Sequence, residues 1–248
     1  MENIFDRTEM LIGTEKLQKL HKSKVAVVGV GGVGSYAAEG LVRAGIGNII
    51  LIDSDDICIT NINRQIHATI DTVGKPKVYV MKDRIQKINP AAVVIAHKSF
   101  YCEGKFSELI PCDCDYIVDA IDAVPSKISL IVEAKSRNIP IISSMGAGNK
   151  LHAENFEIAD IYQTSVCPLA KVMRKALKQK NIHSLKVVYS KETPIRQNFM
   201  GASFYGECSS RNDNSVACSY LPASISFVPS VVGLIIASAV VRDIIGAQ

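Results

Sequence analysis

Apolar and polar positions alternate in blocks along this chain of 248 residues. Short, nearly continuous apolar runs fall at 25–28, 48–52, 92–96, 115–119 and 139–144. Runs of that length and composition read as strands buried on both faces. Between them, apolar residues recur at helical spacing over 34–44, 75–88 and 126–137. The alternation predicts an α/β, Rossmann-like fold: a mostly parallel sheet with helices on both faces. After Gly146-Ala147-Gly148 the pattern changes. Strands are expected near 156–162 and 185–189, with a basic helix between about 166 and 180. The chain is thus read as a core, 1–150, and a C-terminal extension, 151–248, forming one continuous domain. The polar stretch 191–215, with Gly201, Gly206 and Asn212, is long for a compact domain and is expected to be mobile or functional. Residues 215–241 carry no charge, but Pro222 and Pro229 interrupt them. Only Ser230–Val241 remains before Arg242-Asp243, short of the roughly 20 residues a membrane span needs. A buried helix packed on the sheet is expected, without stable membrane insertion.

Candidate chemistry enters at the first strand. Val25–Val28 runs into Gly29-Val30-Gly31-Gly32-Val33-Gly34, then a helical pattern, a second strand and Asp53. Glycines at Gly29, Gly31, Gly32 and Gly34 let backbone approach a polyphosphate, and a helix start turns its free N–H groups toward it. Asp53 lies 24 residues after Gly29, close to the spacing of a carboxylate that binds ribose hydroxyls. That fingerprint alone suits a nicotinamide or flavin enzyme. The next residues change the reading: Asp55, then Asn61-Ile62-Asn63-Arg64-Gln65, then Lys77 at the start of a helix. Cleaving ATP between its α and β phosphates builds charge on the leaving pyrophosphate, so fixed cations such as Arg64 and Lys77 suit it. Asp122, after the fourth strand, could hold magnesium. There is no Gly-x-x-x-x-Gly-Lys-Ser/Thr sequence, so ATP is expected at the Gly-rich turn. Singly, Arg64 and Lys77 read as surface cations and Asp122 as a helix cap; their occurrence in order carries the reading.

These motifs resemble the ubiquitin-activating-enzyme superfamily of adenylating enzymes. The matching residues are Gly29–Gly34, Asp53, Asp55, Asn61, Arg64, Gln65, Lys77 and Asp122. Phe5–Gly13 resembles that family's N-terminal segment, whose arginine reaches into the partner subunit's ATP site. The resemblance therefore implies a homodimer with Arg7 in that role. Within the superfamily, Thr164–Arg174 and Ser226–Pro229 resemble the branch that dehydrates threonylcarbamoyladenosine in tRNA. It implies ATP and magnesium as cofactors, a bound sodium or potassium ion without assignable ligands, modified tRNA as substrate, and sulfur-relay proteins as further partners. The alternative is an enzyme that adenylates the C-terminal glycine of a ubiquitin-like sulfur carrier. Such activators hold zinc with two Cys-x-x-Cys pairs. This chain has seven cysteines and no such pair, Cys112-Asp113-Cys114 being its nearest approach, so no zinc is expected.

Charge and cysteine content add context. Net charge is +4, yet residues 161–212 hold nine cations against two anions. Lys171, Arg174, Lys175 and Lys178 lie on the expected basic helix and form a candidate tRNA patch. An acidic carrier protein would suit the same patch, as would a plain solvated face. The first residues form no basic-then-apolar leader, and seven cysteines without one read as reduced thiols in the cytoplasm. Cys167, before Pro168, reads as a small helix-start residue, with a catalytic thiol as the rival assignment.

Overall fold

A computed structural model describes residues 3–196 and 222–247. Strands β1 (Lys24–Val28), β2 (Asn48–Ile52), β3 (Val93–His97), β4 (Tyr116–Asp119), β5 (Ile141–Ser144), β6 (Phe156–Asp160) and β7 (Lys186–Ser190) form a single sheet. Their order is β3-β2-β1-β4-β5-β7-β6, parallel throughout except for β6 against β7. The helices are α1 (Asp6–Ile12), α2 (Thr14–Lys22), α3 (Gly34–Ala44), α4 (Lys77–Ile88), α5 (Phe106–Leu109), α6 (Val124–Ser136), α7 (Pro168–Gln179) and α8 (Phe227–Ile245).

Alternate strand residues serve two cores. Val25, Val27, Ile49, Leu51 and Val118 face one, packed with α3, α4 and α8. Ala26, Val28, Ile50, Ile52 and Ile117 face the other, packed with α5, α6 and α7. Two-sided burial is why these strands read as unbroken apolar runs. β6 and β7 extend the same sheet, so the change of pattern after Gly148 does not interrupt it. The chain runs outward from β1 through β2 to β3, then crosses back to β4. The C-terminal ends of β1 and β4 therefore flank a topological switch point, where open α/β sheets leave a crevice.

Two expectations need correction. The last helix is not confined to Ser230–Val241 but runs from Phe227 through Asp243 to Ile245. Pro229 is tolerated because it sits in the first turn, where backbone N–H groups have no intrahelical partner. Asp243 is held by the Tyr116 hydroxyl at 2.6 Å and the Lys186 ammonium at 2.5 Å. By length and composition this helix could cross a membrane, yet half of its most apolar window is buried in the protein. It packs mainly on α3 through Gly40 and Gly233, where a Cβ would come within 2.8 Å of Ala237 Cβ and 2.4 Å of Val33 O respectively. Second, not every cysteine is a free thiol: Cys58 is disulfide-bonded, while Cys102, Cys112, Cys114 and Cys167 are free. The expected polar loop 191–215 lies outside the described residues from 197 onward.

Candidate active site

The crevice at the switch point holds a cavity of about 360 Å³, lined by the Gly turn, the ends of β2 and β4, the Asn61–Gln65 segment, Ser99–Tyr101 and residues near Pro222 and Pro229. Of the expected residues, Gly29, Gly31, Gly32, Asp53, Asp55, Asn61, Arg64, Gln65, Lys77 and Asp122 all line it. Gly34 does not; it starts α3 directly behind the turn. Arg7 does not either, being exposed on α1.

Geometry separates the glycines. Gly29 has φ +89°, and a Cβ there would meet Ala120 O at 2.5 Å. At Gly34 a Cβ would fall 1.8 Å from Gly29 O. These two glycines let the turn close on itself and on β4. Gly31 differs, since its nearest atom would be Gln65 Nε2 at 3.8 Å. That space belongs to the cavity.

Asp53 secures the turn as well as facing the cavity. Its Oδ2 accepts from the Val30 N–H at 2.6 Å and its Oδ1 from the Asp55 N–H at 2.9 Å. Burial pushes its carboxyl above the usual range, against the opposing pull of Lys77 and the two amides. The buried Lys77 ammonium donates to Asp55 Oδ2 at 2.7 Å and lies 4.0 Å from Asp53 Oδ1. α4 is fixed for this by Glu39 of α3, whose buried carboxylate grips Arg84 of α4 and Arg43, each at 2.7 Å. Burial would raise the Glu39 pKa, but the two guanidiniums more than offset it and hold it low.

Arg64 is half-buried, and burial lowers its pKa. Its Nη1 donates to Thr60 O at 2.8 Å and Asn63 Oδ1 at 3.0 Å. Asn63 in turn donates to Ser224 O at 3.1 Å, tying the arginine to the rim before α8. Asn61 anchors its own segment by accepting from the Cys58 N–H at 3.1 Å. Gln65 is buried, and its Oε1 has no hydrogen-bond partner among the described residues. Asp122 stands exposed at the rim.

The basic helix is α7. Ala170, Met173 and Leu177 are its buried stripe, and Lys171, Lys175 and Lys178 share the exposed side. Arg174 differs from its neighbours: it is half-buried and donates to the carbonyl oxygen of Thr164 at 3.0 Å and to its hydroxyl. Part of its fork thus anchors the helix. Cys167 is the buried N-cap residue, with Pro168 in the first turn. Its Sγ would lie 3.7 Å from a Cβ on Gly146, so the start of α7 abuts a loop whose Ala147 and Gly148 line the cavity.

Sequence reasoning missed three groups. His67 is buried with both ring nitrogens unpartnered among the described residues. Burial, then Lys77 and Arg84, lower its pKa to about 4. Asn149 fastens the rim, its backbone and side chain each joining Ala223 at 2.8 Å. Lys127 is fully buried against Asp119. A signal existed for the last: Lys127 shares helical spacing with the apolar Leu130, Ile131 and Ala134, and a cation on such a stripe implies a buried partner.

Residues 5–248 match the ThiF family. The chain belongs to the ThiF family. Among ThiF-family relatives, the tRNA threonylcarbamoyladenosine dehydratase of Bacillus subtilis is 46% identical over 244 residues, spanning 97% of this chain and 94% of that protein. The solved structure of the Escherichia coli tRNA N6-threonylcarbamoyladenosine dehydratase TcdA, in complex with ATP, superposes with a TM-score of 0.84 at 32% identity. That match covers 98% of this chain and 93% of the other. The Escherichia coli molybdopterin-synthase adenylyltransferase is 31% identical over 126 residues, only 51% of this chain and 50% of its own. The ThiF-family fold agrees with the Rossmann-like, mostly parallel sheet expected from the alternation.

Proposed function

We propose that this protein is an ATP-dependent dehydratase that cyclises threonylcarbamoyladenosine at adenosine 37 of tRNA. One observation carries the choice within the family: similarity to a dehydratase extends over 97% of the chain, C-terminal part included, whereas similarity to a sulfur-carrier-type adenylyltransferase stops at about half. The substrate's carboxylate displaces pyrophosphate from the α-phosphate of ATP, giving an acyl-adenylate. The substrate's own carbamoyl group then attacks that carbonyl, closes the ring and releases AMP with a proton. Relative to the starting nucleoside one water is lost. A tethered nucleophile removes the need for an enzyme thiol, in keeping with the burial of Cys167.

The chain's residues supply position and charge. Gly31 leaves room for phosphate, Asp53 and Asp55 face the ribose, and Arg64 and Lys77 stand where pyrophosphate leaves. Magnesium keeps several waters and takes one or two carboxylates together with substrate phosphates. The exposed Asp122 at the cavity rim fits that need, and when bound the ion offsets phosphate charge. A sodium or potassium ion also belongs to this reading, without assigned ligands. The Lys171, Lys175 and Lys178 face of α7, with Arg174, receives tRNA. We further infer a cytoplasmic homodimer in which Arg7 completes the neighbour's site. In support, α1 buries none of its residues, and Met10 and Leu11 are 86% and 84% exposed. Sulfur-relay proteins remain candidate partners.

Incubation with ATP and either unmodified or threonylcarbamoylated tRNA, followed by mass spectrometry of digested nucleosides, tests the activity. The modified nucleoside should lose the mass of one water only when ATP is present. Adenylation of a Gly-Gly carrier tail without cyclisation would move the assignment to the sulfur-carrier class. Mixing Arg7→Ala with Asp122→Ala chains should restore activity through heterodimers; no recovery despite proven subunit exchange would refute the shared site.

A further inference from the structure

Below the cavity floor lies an ion pair with no direct role in the chemistry above. Lys127 of α6 and Asp119 at the end of β4 are both 0% exposed, with Nζ and Oδ2 2.8 Å apart. Ser143 of β5 completes the cluster. Its hydroxyl donates to Asp119 Oδ2 at 2.5 Å and lies 3.1 Å from Lys127 Nζ. The other carboxylate oxygen does separate work: Asp119 Oδ1 accepts from the Ile121 N–H at 3.1 Å. Ala120, between them, donates its N–H to Val28 O at 2.8 Å, and its carbonyl presses against Gly29. The turn that ends in Asp122 is therefore held from below by Asp119 and from the side by the glycine turn.

A buried ion pair is poor at adding stability, because desolvation consumes most of the Coulomb gain and apolar replacements of similar volume often do as well. Stability alone does not account for a lysine on the apolar stripe of α6. Position does: one oxygen, neutralised by Lys127 and Ser143, frees the other to cap the Ile121 amide. We propose that Lys127 is a positioning residue, which through Asp119 locks the Ala120–Asp122 turn so that Asp122 meets the phosphates of the bound nucleotide. This rests on the adenylation reading for the role of Asp122, whereas the lock itself is a property of the nucleotide-free chain.

The test separates the two. In the nucleotide-free parent protein, the Ile121 amide should exchange with solvent deuterium as slowly as the amides of β4. Rapid exchange there overturns the lock without any variant. The double variant D119L/K127M removes both charges together and avoids stranding either one. It should keep the parent melting temperature within a few degrees, exchange residues 120–123 at least about 10-fold faster, and lose about 10²-fold in ATP–pyrophosphate exchange, the scale expected of an ångström misplacement. D119N/K127M restores an acceptor for Ile121 and should recover slow amide exchange and most of the rate. A folded D119L/K127M protein with parental amide exchange and parental turnover would overturn the proposal. Parental amide protection in a protein that never exchanges pyrophosphate in the presence of modified tRNA would instead overturn the adenylation reading, and with it the role given to Asp122.

Discussion

The cavity at the switch point and the outer face of α7 both concentrate charge, in opposite ways. Around the cavity nearly every charge is tied down: Lys77 between Asp55 and Asp53, Arg64 onto Thr60 and Asn63, Asp119 onto Lys127. On α7, Lys171, Lys175 and Lys178 extend into solvent. Buried, hydrogen-bonded charges have fixed directions and act strongly at short range, which suits a transition state. Solvated charges act out to roughly 10 Å before ordinary salt screens them, and they suit the salt-dependent capture of a polyanion. The two regions should therefore fail differently when altered.

The largest effect should come from the turn. Gly34→Ala places a methyl group 1.8 Å from Gly29 O, a clash that backbone must move to relieve. We expect a loss of more than about 4 kcal/mol, read by denaturant unfolding or as insoluble protein. Gly31→Ala, three residues earlier, meets nothing closer than 3.8 Å among the described residues. It should fold normally and lose ATP affinity in calorimetric titration. If Gly31→Ala destabilises the chain as severely as Gly34→Ala, or binds ATP with parental affinity, the division between closing and ligand-facing glycines is wrong.

Next come the fixed charges. Asp122→Asn and Arg64→Ala should each leave the fold intact and slow ring closure by about 10²–10³, the usual cost of one preorganised contact at a developing anion. A folded Asp122→Asn protein with parental turnover and unchanged magnesium dependence would remove Asp122 from the site.

His67 gives a comparable effect on stability instead of rate. Its folded pKa, about 4, lies below the unfolded value near 6.5, so the unfolded chain takes up a proton first as pH falls. The buried neutral ring should therefore cost nothing above about pH 6.5 and as much as about 3 kcal/mol by pH 4. Urea unfolding across that window should show the loss, and His67→Asn should remove most of it. An equal slope in both proteins would refute the assignment.

The smallest effects belong to α7. Lys175→Ala and Lys178→Ala should each weaken tRNA binding modestly and lower the slope of log affinity against log salt by about 1. Slow ATP chemistry should be untouched. Arg174→Ala should differ by also lowering the melting temperature, because it anchors Thr164.

Much of this was legible in the chain because it is local. A strand buried on both faces needs consecutive apolar residues, so β1, β2 and β4 announce themselves, and the glycine turn followed by Asp53 marks the crevice. Boundaries slipped where side-chain chemistry rather than periodicity sets them: α6 begins at Val124 with Pro125 in its first turn, and α8 runs past Pro229. α1 and α2 went unread, for α1 has no buried stripe to give a period.

The sequence by itself determined the alternation of strands and helices from β1 onward, the glycine turn, and the placing of Asp53, Arg64, Lys77 and Asp122 around one crevice. Those follow from spacing along one chain, since the backbone carries each residue to its strand end. Only the tertiary structure decided which charges are spent on each other. Asp119, Lys127 and Ser143 come from β4, α6 and β5, and no spacing rule brings three such elements together. The same holds for His67 in the field of Lys77 and Arg84, for Asn63 reaching Ser224, and for Gly233 letting α8 lie against α3. Desolvation is a property of the assembled fold, and it alone turns a lysine from a solvated cation into a buried fixture.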